Sequence, residues 1–340
     1  MTAILFDLGG THIRGAVEFE CSKVTSSSLA HRWRCRIPNF ITEGDPEVVW
    51  SDLVNLVCGY IAQVDGSVGP EAPVIFAFPG PIGTGGLILA APTIVGKASA
   101  FLDFRGIIAR QSGRPVYILN DMSAAAWWIS ATTTANRFLC VTISSGIGSK
   151  VFDRGSTLEV IDDLPFAGEI GHVIVDHSSD APFCDCGGQG HLGAIASGRG
   201  IERFARKEAR RDPVEFSESL CASRFGATED ELNNEAHLVP AALAGDAWAR
   251  KVIARCTAPL AQAIATIATA SGLERVMVIG GFAQTLGDLY RQILEEELAP
   301  YEFFAGLPQF SHGFVEVQPV EDDVCLLGAA TYAHRRLNIS

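Results

Sequence analysis

Four residues with metal-ligand chemistry stand close together near the middle of the chain. His172 closes the run Gly168-Glu169-Ile170-Gly171-His172, and twelve residues on comes Cys184-Asp185-Cys186-Gly187-Gly188-Gln189-Gly190-His191. Two thiols and two imidazoles are the soft and borderline donors that suit tetrahedral Zn²⁺. With all four positions filled by protein, such a site is closed and structural. The plainer alternative is a pair of core cysteines in a glycine turn. The other cysteines, Cys21, Cys35, Cys58, Cys140, Cys221, Cys256 and Cys325, lack such spacing and read as packing residues.

A second constellation lies at the start. Asp7-Leu8-Gly9-Gly10-Thr11-His12-Ile13-Arg14 sits between the apolar runs Ala3–Phe6 and Ala16–Val17. Glycine reaches backbone conformations closed to other residues and lets backbone N–H groups approach an anion closely. Thr11 adds a hydroxyl donor, Arg14 a cation, and Asp7 a carboxylate able to orient hydrated Mg²⁺. Taken alone, the same pair of glycines is also an ordinary hairpin turn. The layout recurs about 135 residues on: Phe138–Ile143 is an apolar run, Ser144-Ser145-Gly146-Ile147-Gly148-Ser149 a small-residue turn, and Lys150–Phe152 a returning strand. The repeat points to a duplicated fold in which each lobe offers a phosphate-binding turn and a nucleotide lies in the cleft between them. A third glycine turn, Gly280-Gly281, follows the apolar run Val276–Ile279 and could approach an adenosine moiety.

The elements that must carry these residues can be read in outline. Leu29–Ile37 reads as a third strand with Arg and His on one face. Asp45-Pro46 opens a helix, as N-cap and first helical residue. Pro73–Phe78 is a buried strand ending in Pro79-Gly80-Pro81. Leu87–Ala90 is a short strand, Phe104–Gln111 a helix, Val116–Leu119 a strand and Met122–Ser130 a helix. Past Gly200, helices dominate: 201–210, 213–223, 229–235, and a long one from Ala247 to Ser271. The strand 276–279, a helix 286–298, a strand 314–320 and a helix 324–336 complete the chain.

With 340 residues, 48% hydrophobic and 19% charged, the chain is long and apolar enough for two folded domains. Its net charge of −13 argues against nucleic-acid binding, which needs basic surface. The absence of a secretory pattern and the broken or polar character of the uncharged stretches lead us to expect a cytoplasmic protein that does not span a membrane.

In order along the chain, Asp7-Leu8-Gly9-Gly10-Thr11, Leu119-Asn120-Asp121, Ser145-Gly146-Ile147-Gly148-Ser149, Gly168-Glu169-Ile170-Gly171-His172, the Cys184-x-Cys186-Gly187-x-x-Gly190 knuckle and Ile279-Gly280-Gly281 resemble the ROK family of sugar kinases. The resemblance covers most of the chain. It implies an α/β, two-lobed actin-like (ribonuclease H-like) ATPase fold with ATP and sugar in the interlobe cleft. The implied lobes are 1–119 with about 322–340, and 120–321 with the knuckle. It implies ATP-dependent phosphorylation of a primary, 6-type hydroxyl of a hexose or hexose-like substrate. Asp121 then matches the general base; at a strand end before Met122 it also reads as a helix N-cap, and it could be both. Gly80, Thr93, Asn120, Glu169 and His172 match sugar contacts. Gly9, Gly10, Thr11, Gly146 and Gly148 match phosphate-turn positions, and Gly281 the adenosine side. His172 would bind zinc through its other nitrogen. A homodimer is also implied.

The chain departs from that pattern at three places. The last zinc ligand, usually Cys, is His191. The second phosphate turn begins Ser144-Ser145 where the family usually has Gly-Thr. Two residues after the last ligand, where the family usually has a sugar-binding Glu, stands Gly193. Losing a charged acceptor removes about 1.5–3 kcal/mol of hydrogen bonding to an ordinary hexose. An amino sugar, or a C7 cyclitol lacking the usual anomeric hydroxyl, would tolerate that loss. A non-catalytic sugar sensor or a transcriptional regulator is the reading from another class. Against it stand Asp121, the three glycine turns, the acidic charge and a first strand that begins at residue 3.

Overall fold

The computed structural model describes residues 2–19, 24–96, 103–156, 159–160, 167–303, 310 and 313–337. Cys21 lies outside the described residues. The chain divides into two compact units, Met1–Thr134 with Ser156–Ala167 and Glu321–Ser340, and Ala135–Gly155 with Gly168–Val320.

In the first unit, β1 (Ala3–Leu8) and β2 (His12–Glu18) form an antiparallel hairpin extended by β3 (Leu29–Arg36). Helix α1 (Pro46–Val64) follows, capped by Asp45, whose carboxylate accepts the Glu47 N–H at 2.9 Å. Then come β4 (Val74–Phe78), helix α2 (Phe104–Ser112), β5 (Val116–Asn120) and helix α3 (Asp121–Thr132). The sheet order is β3-β2-β1-β4-β5, with β4 and β5 parallel to β1. One sheet face buries Ile4, Phe6, Phe76 and Phe78 against α1 and α2, with Phe6 and Phe76 stacked at 4.9 Å. Full burial of such a side chain is worth about 1.5–3 kcal/mol. Gly15 lets this face pack closely, because a Cβ there would stand 3.1 Å from both the Trp33 and Tyr60 rings, which would have to give way. The chain returns to this unit as a C-terminal helix, Val324–Arg336, which packs on α3. Gly328 permits that approach, since a Cβ there would lie 1.8 Å from the Ala124 carbonyl oxygen. This packing explains why the first unit runs to Thr134 and not to 119: helix α3 belongs to the body that its C-terminal partner covers.

The second unit starts with the hairpin β6 (Arg137–Ile143) and β7 (Ile147–Asp153). Helix α4 (Gly198–Arg211), helix α5 (Ala247–Ser271), β8 (Arg275–Ile279), helix α6 (Asp288–Leu298) and β9 (Val315–Val317) complete its frame. The sheet order is β7-β6-β8-β9, with β8 parallel to β6 and β9 parallel to β8. Both sheets therefore place two parallel strands on the far side of the first hairpin strand, the duplication expected from the repeated turns. Helix α5 is long and apolar enough to cross a membrane, yet half of that stretch is buried within the unit.

Three expected helices differ. The helix read over 213–223 is broken at Ser219, whose backbone is extended, into Pro213–Glu218 and Leu220–Ser223. The one read over 286–298 is interrupted at Gly287, which takes a positive φ of 55°. The one read over 229–235 is replaced by turns and a π-helical segment, Asn234–Leu238, capped by Asn233.

Candidate active site and metal cluster

In the first unit, β1 and β2 meet at Gly9-Gly10-Thr11. The Gly9 N–H bonds the His12 carbonyl at 2.8 Å, and the Ile37 N–H bonds the Thr11 carbonyl at 3.1 Å. Thr93 stands beside this turn, within van der Waals reach of a Cβ built on Gly10. Asp7, at the end of β1, is 5% exposed. Arg14 lies opposite it in the ladder, donates from Nε to Asp7 Oδ2 at 2.9 Å, and also bonds the Asp322 carbonyl. Burial pushes the Asp7 carboxyl up, and the Arg14 guanidinium pulls it back.

Strand β5 delivers Asn120 and Asp121 to the start of α3. Asn120 is the N-cap: its Oδ1 accepts the Met122 N–H at 3.0 Å, while its Nδ2 donates to the Gly80 carbonyl at 2.9 Å. Asp121 is the first helical residue, half-buried, and its Oδ1 accepts the Met122 N–H at 2.8 Å. The N-cap position thus falls to Asn120, with Asp121 accepting from the same Met122 N–H. Gly80 has φ +121°, and a Cβ there would lie 2.3 Å from the Ala90 carbonyl oxygen, so this turn admits only glycine.

Sequence reasoning passed over Cys325 as a packing residue. Its half-buried thiol lies 3.8 Å from the Asp121 carbonyl oxygen and bonds the Asp7 carboxylate. Burial, with the Asp7 and Asp121 charges beside it, pushes this thiol well up. No local spacing announces a residue more than two hundred positions from Asp121.

In the second unit, the turn Ser144–Gly146 closes with a Ser144 N–H to Gly146 carbonyl bond of 3.1 Å. Helix α4 opens against it, with the Gly198 N–H on the Ser144 carbonyl at 2.7 Å. Arg199 donates to the Ser145 carbonyl at 2.8 Å and pairs with Asp185 at 2.8 Å, which links this turn to the knuckle. Gly148 pairs with Thr142 in the ladder. Gly280 comes to the same strand end. Its φ is +99°, and a Cβ would lie 2.6 Å from the Ile143 carbonyl oxygen. Gly281 then opens a short helix, Gly281–Leu286.

The Gly168–His172 turn lies flat on β7. A Cβ on Gly168 would stand 2.1 Å from the Ser149 carbonyl oxygen, and one on Gly171 2.4 Å from that of Ile147. His172 turns Nδ1 to Cys184 Sγ at 3.8 Å and Nε2 to Glu169 Oε2 at 4.0 Å. His191 Nδ1 lies 3.3 Å from Cys186 Sγ, and all four potential ligand atoms fall within 4.8 Å of one another. Tetrahedral Zn–S and Zn–N bonds put neighbouring ligands roughly 3.3–3.8 Å apart, so this donor set fits zinc. A Cβ on Gly188 would meet the His191 ring at 2.2 Å, which accounts for glycine there. Gly193 lies next to the Gly168–His172 turn, where a Cβ would be 3.1 Å from the Gly171 carbonyl oxygen.

The ROK family profile matches residues 3–336, and the chain belongs to that family. It is 36% identical to the C(7)-cyclitol 7-kinase of Streptomyces hygroscopicus subsp. limoneus, over 98% of this chain and 94% of that one. It is 28% identical to the glucokinase of Thermotoga maritima, over 84% and 86% of the two chains. Its fold matches the ROK hexokinase of Thermus thermophilus with a TM-score of 0.71 and 25% identity, over the whole of both chains. This is the actin-like two-domain ATPase fold.

Proposed function

We propose that this ROK-family chain transfers the γ-phosphoryl group of ATP to the primary hydroxyl of a C7 cyclitol, with Asp121 as general base. That the chain is a phosphotransferase of the sugar-kinase type, acting on an alcohol, follows from its kinase relatives. The narrower substrate is carried by one observation: the relative that matches it end to end at 36% identity is a C(7)-cyclitol 7-kinase. Gly193 supports it. The position beside the Glu169–His172 turn carries no carboxylate, which suits a carbasugar that lacks an anomeric hydroxyl.

A primary alcohol is a poor nucleophile. A carboxylate at the mouth of β5 accepts its proton as the O–P bond forms and the bond to ADP breaks, giving the phosphate ester and ADP. Asn120, fixed by Gly80 and by the first turn of α3, sets the position of Asp121 and of one ring hydroxyl. Glu169 and His172 hold others. The Gly9–Thr11 and Ser145–Gly148 turns receive the phosphates, with the Gly9 N–H itself closing its turn on the His12 carbonyl. Mg²⁺ carried with ATP would neutralise phosphate charge, with Asp7 as the carboxylate at the first turn. Zn²⁺ held by His172, Cys184, Cys186 and His191 would fix the His172 ring. The reading includes a cytoplasmic homodimer.

The test is ADP release with MgATP over a C7 cyclitol, a 3-amino-glucose, N-acetylmannosamine, mannose and glucose. Preference for the cyclitol supports the reading. Turnover of glucose alone replaces it with an ordinary glucokinase, the second reading that the Thermotoga relative favours.

A further inference from the structure

Arg199 has no part in the reaction above, yet it touches the second phosphate turn. Hydrogen bonds fix that turn from two sides. The Ser144 N–H closes on the Gly146 carbonyl at 3.1 Å, the Gly198 N–H reaches the Ser144 carbonyl at 2.7 Å, and Arg199 Nε donates to the Ser145 carbonyl at 2.8 Å. The last two donors belong to consecutive residues at the start of α4. A trans peptide is planar, with its C=O and N–H on opposite edges. Anchoring the Ser144 and Ser145 carbonyls on α4 therefore turns the next two N–H groups, those of Ser145 and Gly146, away from it. Among the described residues neither of these N–H groups meets an acceptor. A Cβ built on Gly146 would have nothing within 4 Å, so close packing does not account for this glycine and the space beside it is open. Successive unpaired N–H groups are donors that an anion selects.

The guanidinium is itself held. Its Nη1 pairs with Asp185 Oδ2 at 2.8 Å. Asp185 stands between Cys184 and Cys186, on a turn closed by the Cys184 N–H to the Gly188 carbonyl at 2.8 Å and by the Gly187 N–H to the Cys184 carbonyl at 2.9 Å. Arginine presents its donors in a planar fork, so two partners set the orientation of the whole group. Both side chains are largely exposed, and an exposed ion pair adds little to stability. The effect of the pair falls on the direction of one peptide and not on folding.

We propose that Arg199 is a positioning residue for the phosphoryl donor: it aims the Gly146 N–H at a phosphate oxygen, and Asp185 holds Arg199 in that role. The knuckle then serves the nucleotide as well as the Glu169–His172 turn. The inference rests on reading Ser145–Gly148 as a phosphate turn.

The full-length wild type, Arg199→Ala, Asp185→Ala and the double variant are titrated calorimetrically with a non-hydrolysable MgATP analogue. Steady-state kinetics with the acceptor that the wild type turns over best, melting temperature and zinc content are measured on the same preparations. Arg199→Ala is expected to weaken analogue binding about three- to tenfold and to raise the KM for ATP in step. The KM for the acceptor, the zinc content and the melting temperature are expected to hold. Asp185→Ala is expected to weaken the analogue about two- to threefold, and the double variant to bind no worse than Arg199→Ala, because the carboxylate acts only through the guanidinium. Unchanged analogue affinity in Arg199→Ala, an equal rise in the KM for the acceptor, or losses that multiply in the double variant would overturn the proposal. Tighter binding in Asp185→Ala would overturn it too, by making the freed guanidinium a direct phosphate ligand. Absence of MgATP turnover in the wild type counts against the kinase reading. Turnover that persists with an ATP affinity indifferent to Arg199 counts against this inference alone.

Discussion

Arg14 and Asp7 face each other across neighbouring strands, and the guanidinium Nε reaches the carboxylate at 2.9 Å. The same guanidinium bonds the Asp322 carbonyl, tying the hairpin to the segment that leads into the C-terminal helix. Arg14 therefore holds the carboxylate beside the glycine turn in place. Removing it leaves the buried carboxylate without its countercharge and with only the Cys325 thiol beside it. Arg14→Ala is expected to cost about 2 kcal/mol, discounted for the partial exposure of the arginine. Urea denaturation reads that loss, and an unchanged midpoint would show that the pair contributes nothing.

Asp121→Asn preserves shape and the contact to the Met122 N–H but cannot accept a proton. The turnover rate is expected to fall by about 10²–10⁴-fold, with substrate affinity little changed. Steady-state kinetics with binding measured separately decides this, and a variant that retains wild-type kcat removes Asp121 from the proton transfer.

Zinc is expected at one ion per chain. Cys186→Ser should lose it and melt at a lower temperature, because ligand binding stabilises only the folded state. Elemental analysis of the purified protein is the measurement, and a metal-free wild type with normal stability would dismiss the cluster as a zinc site.

The Glu18 carboxylate is fully buried against His334, at 2.6 Å, and among the described residues its second oxygen has no hydrogen-bond partner. Burial raises this carboxyl, and His334 lowers it in part, leaving it above its ordinary 4.5. A raised carboxyl contributes stability in full below its unfolded value and loses that contribution as pH rises through the folded one. Glu18→Gln cannot ionise, so its stability relative to wild type should improve by about 1 kcal/mol between about pH 4 and pH 8. Denaturation at both pH values tests the sign, and a difference independent of pH contradicts it.

Gly193→Glu returns a carboxylate to the position beside Gly171, where the neighbouring carbonyl must shift slightly to admit the Cβ at 3.1 Å. The ratio of kcat/KM for glucose over the cyclitol is expected to rise about tenfold. A ratio that does not move places the substrate preference elsewhere.

Much of this was legible beforehand. The cap formed by Asp45, the glycine turns and the Cys184-x-Cys186 knuckle are set by neighbours a few residues apart, and spacing alone constrains them. The helix breaks at Ser219 and Gly287 were not, because the apolar pattern continues across each break while the backbone of a single residue leaves the helical region.

The sequence by itself determined the hairpins, the clustering of two Cys and two His at the knuckle and the strand end carrying Asn120-Asp121, since each depends on local chain geometry and residue chemistry. Only the tertiary structure decided that Arg14 serves Asp7, that Cys325 reaches both Asp7 and Asp121, that helix α3 belongs to the first unit, and that Gly193 lies on Gly171. Arg14 and Asp7 are only seven residues apart and are joined by hairpin register, while the other contacts join segments distant in sequence. Sheet register and the close approach of Gly328 to Ala124 establish them, and no spacing rule within a single segment encodes either.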